Sequence, residues 1–298
     1  MTKVTITIFL FFCVLSSFAQ EFGTHWICHP LPNDSSEILF CHTYLTQQRP
    51  QQASLTFAST GQLRVYVNER NITPYISYDN RDSSIIAIQT YDITRYLYPD
   101  SNTIAVWYAP TARSSSTKQL HLEYYGTDAH GKAFYYAANG DWECMELKGC
   151  YKKENGEEMF DRRSYDSNWK AANCDKAYWQ HPLGPPPPVK TYPISSNPYH
   201  RKNKQLARIL TPVNSHTDSL GLTFYFERDF IGTIRLTLRD AHQGERIQIG
   251  SFTYICSGTL DEQAFRYFTA TPSRTFVVQG DKYFKKEQIV NVEALEYE

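Results

Sequence analysis

Apolar and polar residues alternate with a period of two along much of the chain, which is typical of β-strands. Residues 63–68 read Leu-Arg-Val-Tyr-Val-Asn, and residues 233–239 read Thr-Ile-Arg-Leu-Thr-Leu-Arg. Because neighbouring side chains of a strand point to opposite faces, the alternation predicts antiparallel sheets with one face on a core and the other in water.

Further segments carry strand-forming residues bounded by turn signals. They are 38–46, 53–58, 85–89, 103–108, 119–125, 133–137, 222–226, 246–255, 274–278 and 289–295. No segment shows a helical period over a useful length. The sequence therefore predicts an all-β protein with two antiparallel β-sandwich domains in tandem.

The first residues have the pattern of an export signal. Lys3 precedes the apolar run Val4–Leu15, and Ser17 and Ala19 are the small residues that a signal peptidase reads. We expect a signal peptide at residues 1–19, cleaved near Ala19. A lipoprotein signal ending at Cys13 would leave too short an apolar stretch before it. The mature protein is expected to be periplasmic or extracellular, with no membrane span.

A proline run divides the rest of the chain. Residues 183–188 read Leu-Gly-Pro-Pro-Pro-Pro. Proline has no backbone donor for a sheet ladder, so this run predicts a linker. We expect one sandwich at residues 20–183, a linker and connector with one edge strand at 184–219, and a second sandwich at 220–298.

Charge and composition exclude some partners. The 30 basic and 31 acidic residues are interspersed, and the net charge is −1, so no footprint for nucleic acid or anionic lipid is visible. Aromatic residues make up 15% of the chain. They suit the packing of sheets and also suit surfaces that stack on sugar rings.

Six cysteines remain after the predicted cleavage: Cys28, Cys41, Cys144, Cys150, Cys174 and Cys256. An even number in an oxidising compartment permits disulfides, with fifteen pairings open. Cys28 with Cys41, and Cys144 with Cys150 or Cys174, are the pairs nearest in sequence. Buried free thiols are the alternative.

Motifs for metal or cofactor chemistry are not found in the sequence. His25, Cys28 and His29 include the types that bind zinc, but on an extended segment they point to different faces, and no second pair follows at the spacing of a zinc finger. No nucleophile elbow, phosphate loop or calcium loop is present. We expect no metal and no cofactor.

Several stretches of the first half resemble a sugar-enzyme jelly roll. They are Ala53–Asn68, Thr90–Thr94, Tyr96–Leu97 and Asn102–Val106, in which a strand ends at an Asn turn and an Asp-Ile-Thr segment and an Asn-x-Ile strand follow. The pattern resembles the amino-terminal domains of α-L-rhamnosidases and, more loosely, of β-galactosidase-type enzymes.

Two more regions extend the resemblance to α-L-rhamnosidases. Gly156-Glu157, Phe160–Arg163 and Trp169 resemble the family's Gly-Glu-x-x-Asp-x-Arg segment and following Trp. This chain departs at Phe160 and Arg162, where the family commonly has Tyr and Ala, and it has one extra residue between the Glu and the Asp. The last part resembles the concanavalin-like sandwich before the family's barrel, at Phe224–Leu238, Gly258–Thr269, Phe276–Gly280 and Val292–Tyr297.

The resemblance implies the function of the family, which hydrolyses terminal α-L-rhamnose by inversion with two carboxyl groups in a helical barrel. The sequence ends at Glu298, so we expect that barrel to be missing and the chain not to be an enzyme by itself. Four carboxylates match the motifs: Glu157, Asp161, Asp261 and Glu262. We expect them to bond nearby arginines, namely Arg162, Arg163 and Arg266, and to tie loops down.

Three functions follow. The first is a secreted, non-catalytic carbohydrate-recognition protein for a glycan such as a rhamnose-containing one. The second is the amino-terminal part of a split or truncated rhamnosidase that needs a separate catalytic barrel, and the third is a protein-docking module that uses sheet edges. No catalytic residue is predicted. Candidate carbohydrate contacts are Trp107, Tyr108, Trp142, Glu157, Asp161, Arg162, Trp169 and Trp179. For the aromatic ones, core packing is the alternative.

Overall fold

The computed structural model describes residues 25–31, 36–73, 86–111, 118–154, 157–188, 194–195, 206–219 and 221–298. The predicted signal peptide at 1–19 and Gly156 of the rhamnosidase-like motif lie outside the described residues. Among the described residues, no helix has the length and apolar character needed to cross a membrane.

The described chain consists of 22 strands and short 3-10 helices, which confirms the all-β class. The strands are β1 Ile27–Cys28, β2 Glu37–Leu45, β3 Gln52–Ser59, β4 Gln62–Val67, β5 Arg70–Asn71, β6 Ile86–Ala87, β7 Gln89–Asp92, β8 Ser101–Ala109, β9 Gln119–Thr127, β10 Ala133–Ala137, β11 Glu143–Leu147, β12 Tyr151–Glu154, β13 Glu157–Asp161, β14 Ile194–Ser195, β15 Leu206–Leu210, β16 Asn214–Asp218, β17 Gly221–Arg239, β18 Arg246–Ile249, β19 Phe252–Ile255, β20 Asp261–Ala264, β21 Thr271–Gly280 and β22 Ile289–Tyr297. The 3-10 helices include Thr94–Tyr96, Arg162–Ser164, Ser167–Lys170 and Lys286–Gln288.

Three larger sheets make up the fold. The outer sheet has the order β1-β9-β3-β7, with β10 added to β9, and the middle sheet has the order β11-β2-β8-β4-β5. The long sheet has ten strands in the order β12-β13-β19-β18-β21-β17-β22-β15, and β16 and β20 also pair with β17. Most pairs are antiparallel, as predicted, while β13 with β19 and β14 with β6 are parallel.

The middle sheet is buried on both faces. In β8, Val106 and Tyr108 point into a core shared with the outer sheet, whereas Trp107 points into a second core. Arg64 and Tyr66 of β4 are only 5% and 6% exposed. The expectation that one face of each sheet lies in water is therefore wrong for this sheet, because the long sheet covers the face that was assigned to solvent.

The first core lies between the outer and middle sheets. Its members are aliphatic and aromatic side chains that follow the predicted alternation, including Ile38, Phe40, Leu55, Phe57, Val65, Ile104, Val106, Leu120, Leu122 and Tyr124. Burial of such side chains contributes about 1.5–3 kcal/mol each and holds the two sheets face to face.

The second core joins the middle sheet to the long sheet. The ring of Trp107 lies 4.9 Å from that of Tyr267, 5.2 Å from that of Phe268 and 6.2 Å from that of Phe160. Side chains from the strands of the long sheet make up the rest of this core. Arg64 reinforces the contact, since its Nε donates to the Tyr267 carbonyl at 2.6 Å.

Strands from both sides of the proline run share the long sheet. β12 and β13 precede the run, yet β13 pairs with β19, with Phe160 opposite Tyr254. The long sheet thus contains hydrogen-bonded strands from both before and after the predicted linker at 184–219. That segment contains β14, β15 and β16, where one edge strand was expected.

The segment 246–255 is a hairpin rather than the single strand that the sequence predicted. Ile249 of β18 lies opposite Phe252 of β19. Gly250 takes a positive φ of 57° between them, a conformation that glycine adopts without strain.

Candidate functional site

A cleft of about 340 Å³ opens where the middle sheet meets the long sheet. Three parts of the chain that are distant in sequence form its walls: strands β4 and β5, the segment 162–170, and the segment 254–267. The lining residues are Arg64, Tyr66, Asn71, Arg162, Tyr165, Ser167, Lys170, Tyr254, Thr259, Asp261, Glu262, Gln263, Phe265 and Tyr267.

Two short 3-10 helices shape the second wall, and each is capped by an aspartate. Asp161 accepts from the backbone N–H of Arg163, and Asp166 accepts from that of Asn168 at 2.8 Å. Asp161 also binds the Arg163 guanidinium through both oxygens, at 3.0 and 2.7 Å, and these bonds hold the pKa of Asp161 below its usual value. Asp161 therefore ties the loop down, as expected, and fixes the start of the helix that carries Arg162.

Cations lie over aromatic rings along this wall. The ammonium of Lys170 lies 4.7 Å from the centre of the Tyr66 ring, and the guanidinium of Arg162 lies 5.1 Å from that of Tyr165. Trp169 supports both rings from the protein side. Its ring meets Tyr66 edge-on at 5.6 Å, and its Nε1 donates to the Tyr165 hydroxyl at 2.9 Å.

The third wall contains two carboxylates that already have structural partners. Glu262 accepts from the Tyr254 hydroxyl at 2.9 Å and from two backbone N–H groups at 2.8 and 2.9 Å. Asp261 pairs with Arg239 through both oxygens, and this partner holds the pKa of Asp261 below its usual value. These carboxylates thus shape the wall and its rim.

The side chain of Arg64 holds the backbone of Tyr267, whose ring lines the cleft. Arg64 donates to the carbonyls of Tyr267 and Thr73, the latter at 3.1 Å, so it is fixed between the two sheets. Phe265 and Tyr267 stay partly exposed, with ring centres 4.6 Å apart. Burial raises the pKa of Tyr66 to about 12, so its hydroxyl stays protonated at neutral pH.

The arrangement suits a small polar ligand with an apolar face. Lys170, Arg162, Asn71 and Gln263 supply hydrogen-bonding groups, and the partly exposed rings of Phe265 and Tyr267 supply apolar surface. The volume is at the small end of the range of ligand pockets, about 300–1,000 Å³. Within the described part of the chain, no cluster of three or more potential metal ligands is found.

Four predicted contact residues lie in the cores. Trp107 and Tyr108 are 0% exposed, Trp142 is 1% exposed and Trp169 is 2% exposed. A ligand cannot stack on rings that are at most 2% exposed, so in this structure these residues pack the cores, which was the alternative to ligand contact. The Tyr108 hydroxyl bonds to the Thr60 hydroxyl at 2.8 Å.

The other predicted residues are spread over the molecule. Arg162 lines the cleft. Asp161 is the helix cap beside it, and Glu157 is exposed at the start of β13, outside the lining. Trp179 is half-buried and packs against the second core.

Most of the lining was not singled out from the sequence. Tyr66 lies in a predicted strand, and Tyr165 and Tyr267 lie beside or inside family-like stretches, but none of the three was named as a contact. The sequence feature that could have pointed to the cleft is the concentration of Tyr and Arg in three separate stretches. Which of these stretches meet could not be inferred from spacing.

Comparisons with known proteins agree on the fold. No known protein family matches the chain, and no curated protein matches its sequence. Solved structures of α-L-rhamnosidases are similar. That of Dictyoglumus thermophilum has a TM-score of 0.77 and 14% identity over 93% of this chain and 35% of that chain. That of Aspergillus terreus has a TM-score of 0.76 and 14% identity over 92% and 36%.

The structure of Streptomyces avermitilis α-L-rhamnosidase complexed with L-rhamnose is also similar. Its TM-score is 0.67, with 16% identity over 88% of this chain and 28% of that chain. The chain therefore has the fold of a region of α-L-rhamnosidases, as the motifs implied, and spans about a third of the length of the chains that it matches.

Proposed function

We propose that this chain is an exported carbohydrate-recognition protein that binds a glycan in the cleft between its middle and long sheets. The observation that supports this proposal is the lining itself, in which Lys170 and Arg162 stand over tyrosine rings beside Asn71 and Gln263. Sugars present hydroxyl groups and an apolar ring face, so these donors, together with the partly exposed rings of Phe265 and Tyr267, match both features.

A rhamnose-containing glycan is the first ligand to test. The similarity in fold to a rhamnosidase solved with L-rhamnose supports this choice. The cleft volume of about 340 Å³ is small for a ligand pocket, so we expect recognition of a terminal unit rather than of a long polysaccharide segment.

A glycan array with rhamnose-terminated oligosaccharides tests the proposal. We expect binding by the natural protein and a loss of about tenfold or more in Lys170→Ala and in Arg162→Ala, because hydrogen bonds to charged groups contribute about 1.5–3 kcal/mol. Matched controls are Lys282→Ala and Arg95→Ala, which remove similar cation–ring contacts outside the cleft.

Two results would count against this site. One is binding that stays unchanged in both cleft variants. The other is an absence of binding to every glycan, which would favour a protein-docking role if the chain then binds another protein.

A second candidate is that the chain acts together with a separate catalytic barrel. The observation that favours it is that the fold corresponds to about a third of the rhamnosidase chains. A chromogenic rhamnoside assay on the purified chain, alone and mixed with a helical-barrel protein encoded next to it, tests this. Turnover by the chain alone would contradict the non-catalytic proposal, and turnover only in the mixture would support the second candidate.

Export is proposed from the first nineteen residues. Amino-terminal sequencing of the protein recovered from the periplasm or the medium should start at Gln20. A secreted chain that still begins at Met1 would contradict cleavage near Ala19.

A further inference from the structure

Two cysteines that are distant in sequence lie near each other, one in the middle sheet and one shortly after the segment that forms the second wall of the cleft. Cys41 lies in β2 and is 0% exposed, and Cys174 follows the 3-10 helix Ser167–Lys170 and is half-buried. Each thiol shifts the pKa of the other, so the two side chains are neighbours. The sequence left fifteen pairings and free thiols open, and Cys28 with Cys41 was named among the pairs nearest in sequence; the fold places Cys174 beside Cys41.

An ion pair stands beside the thiols. Glu143 of β11 lies directly opposite Cys41 in the sheet register, and its carboxylate binds the ammonium of Lys176. Lys176 is two residues after Cys174. Lys176 lies near enough to lower the pKa of both thiols and so favours thiolate, the reactive form of cysteine, while Glu143 acts in the opposite direction.

The position of Cys174 links this cluster to the cleft. The segment 162–179 carries Arg162, Tyr165 and Lys170 of the cleft wall. Its two 3-10 helices are short, so contacts with the sheets must fix its place. A covalent bond from Cys174 to β2 would fasten this wall to the middle sheet.

We propose that Cys41 and Cys174 form a disulfide bond that clamps the segment 162–179 against β2. The role of this clamp in glycan binding depends on the proposed function, because it assumes that the cleft is the binding site. The formation of the disulfide bond does not depend on that assumption. The oxidant is a second disulfide, either a small-molecule one or that of a thiol–disulfide oxidoreductase of an oxidising compartment.

The chemistry proceeds by two exchanges. The Cys174 thiolate attacks one sulfur of the oxidant, whose sulfur–sulfur bond breaks and releases one thiol. The Cys41 sulfur, after losing its proton, attacks the Cys174 sulfur of this mixed disulfide and releases the second thiol. Two electrons and two protons pass to the oxidant. The neighbouring Cys41 thiol lowers the pKa of Cys174 to about 7, so Cys174, which is also the more accessible thiol, reacts first.

Peptide mapping tests the bond. The full chain is incubated with oxidised glutathione, unfolded, treated with iodoacetamide and digested for mass spectrometry. We expect a cross-linked peptide that joins Cys41 to Cys174, is lost on treatment with dithiothreitol, and is absent in Cys174→Ser. The control Cys28→Ser should keep it. Alkylation of both Cys41 and Cys174 after oxidation, or a bond from either to another cysteine, would overturn the proposal.

Hydrogen exchange tests the clamp without a ligand. Reduction of the natural protein should speed amide exchange in the segment 162–179 several-fold and leave the outer-sheet strand β9 unchanged. Dithiothreitol should have no such effect on Cys174→Ser. Exchange in 162–179 that is equal in the oxidised and reduced protein would refute the clamp. Both readouts are independent of glycan binding, so they can fail or succeed separately from the proposed function.

Discussion

Replacing Trp107 with alanine distinguishes a packing residue from a ligand contact. The indole is 0% exposed, and besides Tyr267, Phe268 and Phe160 it meets the rings of Tyr151 at 5.5 Å and Tyr165 at 5.7 Å. It therefore stands where the middle sheet joins the long sheet. Its removal leaves a cavity between the sheets that these rings can fill only by moving.

The expected cost follows from the buried area. A tryptophan side chain buries about 150–250 Å², which at about 25 cal/mol/Å² corresponds to about 4–6 kcal/mol. Measured losses for Trp→Ala in cores are about 3–5 kcal/mol. We therefore expect a loss of about 4 kcal/mol in the free energy of unfolding, which lowers the urea midpoint by about 2 M for a slope of about 2 kcal/mol per M.

Urea unfolding followed by circular dichroism measures this loss. Trp179→Ala is the matched control, because Trp179 is half-buried at the edge of the same core and should cost less than half as much. Trp107→Phe should also cost less, since it keeps a ring and removes an indole N–H that has no hydrogen-bond partner among the described residues. If the free energy of unfolding of Trp107→Ala is within about 1 kcal/mol of that of the natural protein and yet the variant no longer binds glycan, the packing argument is refuted.

Two further predictions concern stability. Burial raises the pKa of Glu37 to about 8, so its stabilising contribution is complete below pH 4.5 and is lost as the pH rises to 8. The free energy of unfolding of Glu37→Gln should thus rise relative to that of the natural protein between pH 5 and pH 9. If urea titrations give a difference between the two free energies that is constant with pH, this prediction is wrong. Gly126 lies where an added Cβ would overlap the backbone of Gln52, whereas Gly140 faces open space. Gly126→Ala should cost about 1–3 kcal/mol and Gly140→Ala almost nothing in the same titrations, and equal effects would contradict the close approach of β9 and β3.

Much of the sheet architecture could be predicted from the sequence. β8 and β10 coincide with their predicted segments to within two residues, because both segments are rich in residues that favour strands. β13 and β20 were missed as strands. Their polar sequences, Glu-Glu-Met-Phe-Asp and Asp-Glu-Gln-Ala, form strands because β19 and β17 supply the pairing.

The cleft could be predicted only in part. Arg162 was named because it lies in a family-like motif, but its neighbours in space, such as Tyr66 and Tyr267, come from other parts of the chain. Trp107 and Trp142, which were named as contacts from the sequence, have large apolar side chains, and such side chains are more often buried in a core than exposed. Which face of the middle sheet would be covered depends on long-range packing, which alternation alone does not contain.

Isothermal titration calorimetry with a rhamnose-terminated oligosaccharide tests the central claim, a glycan site in the cleft, most directly. The natural protein and Lys282→Ala should bind with the same affinity, and Lys170→Ala should bind at least about tenfold more weakly while its unfolding curve is unchanged. Equal affinity in all three proteins, or heat of binding from none of them, would contradict the account.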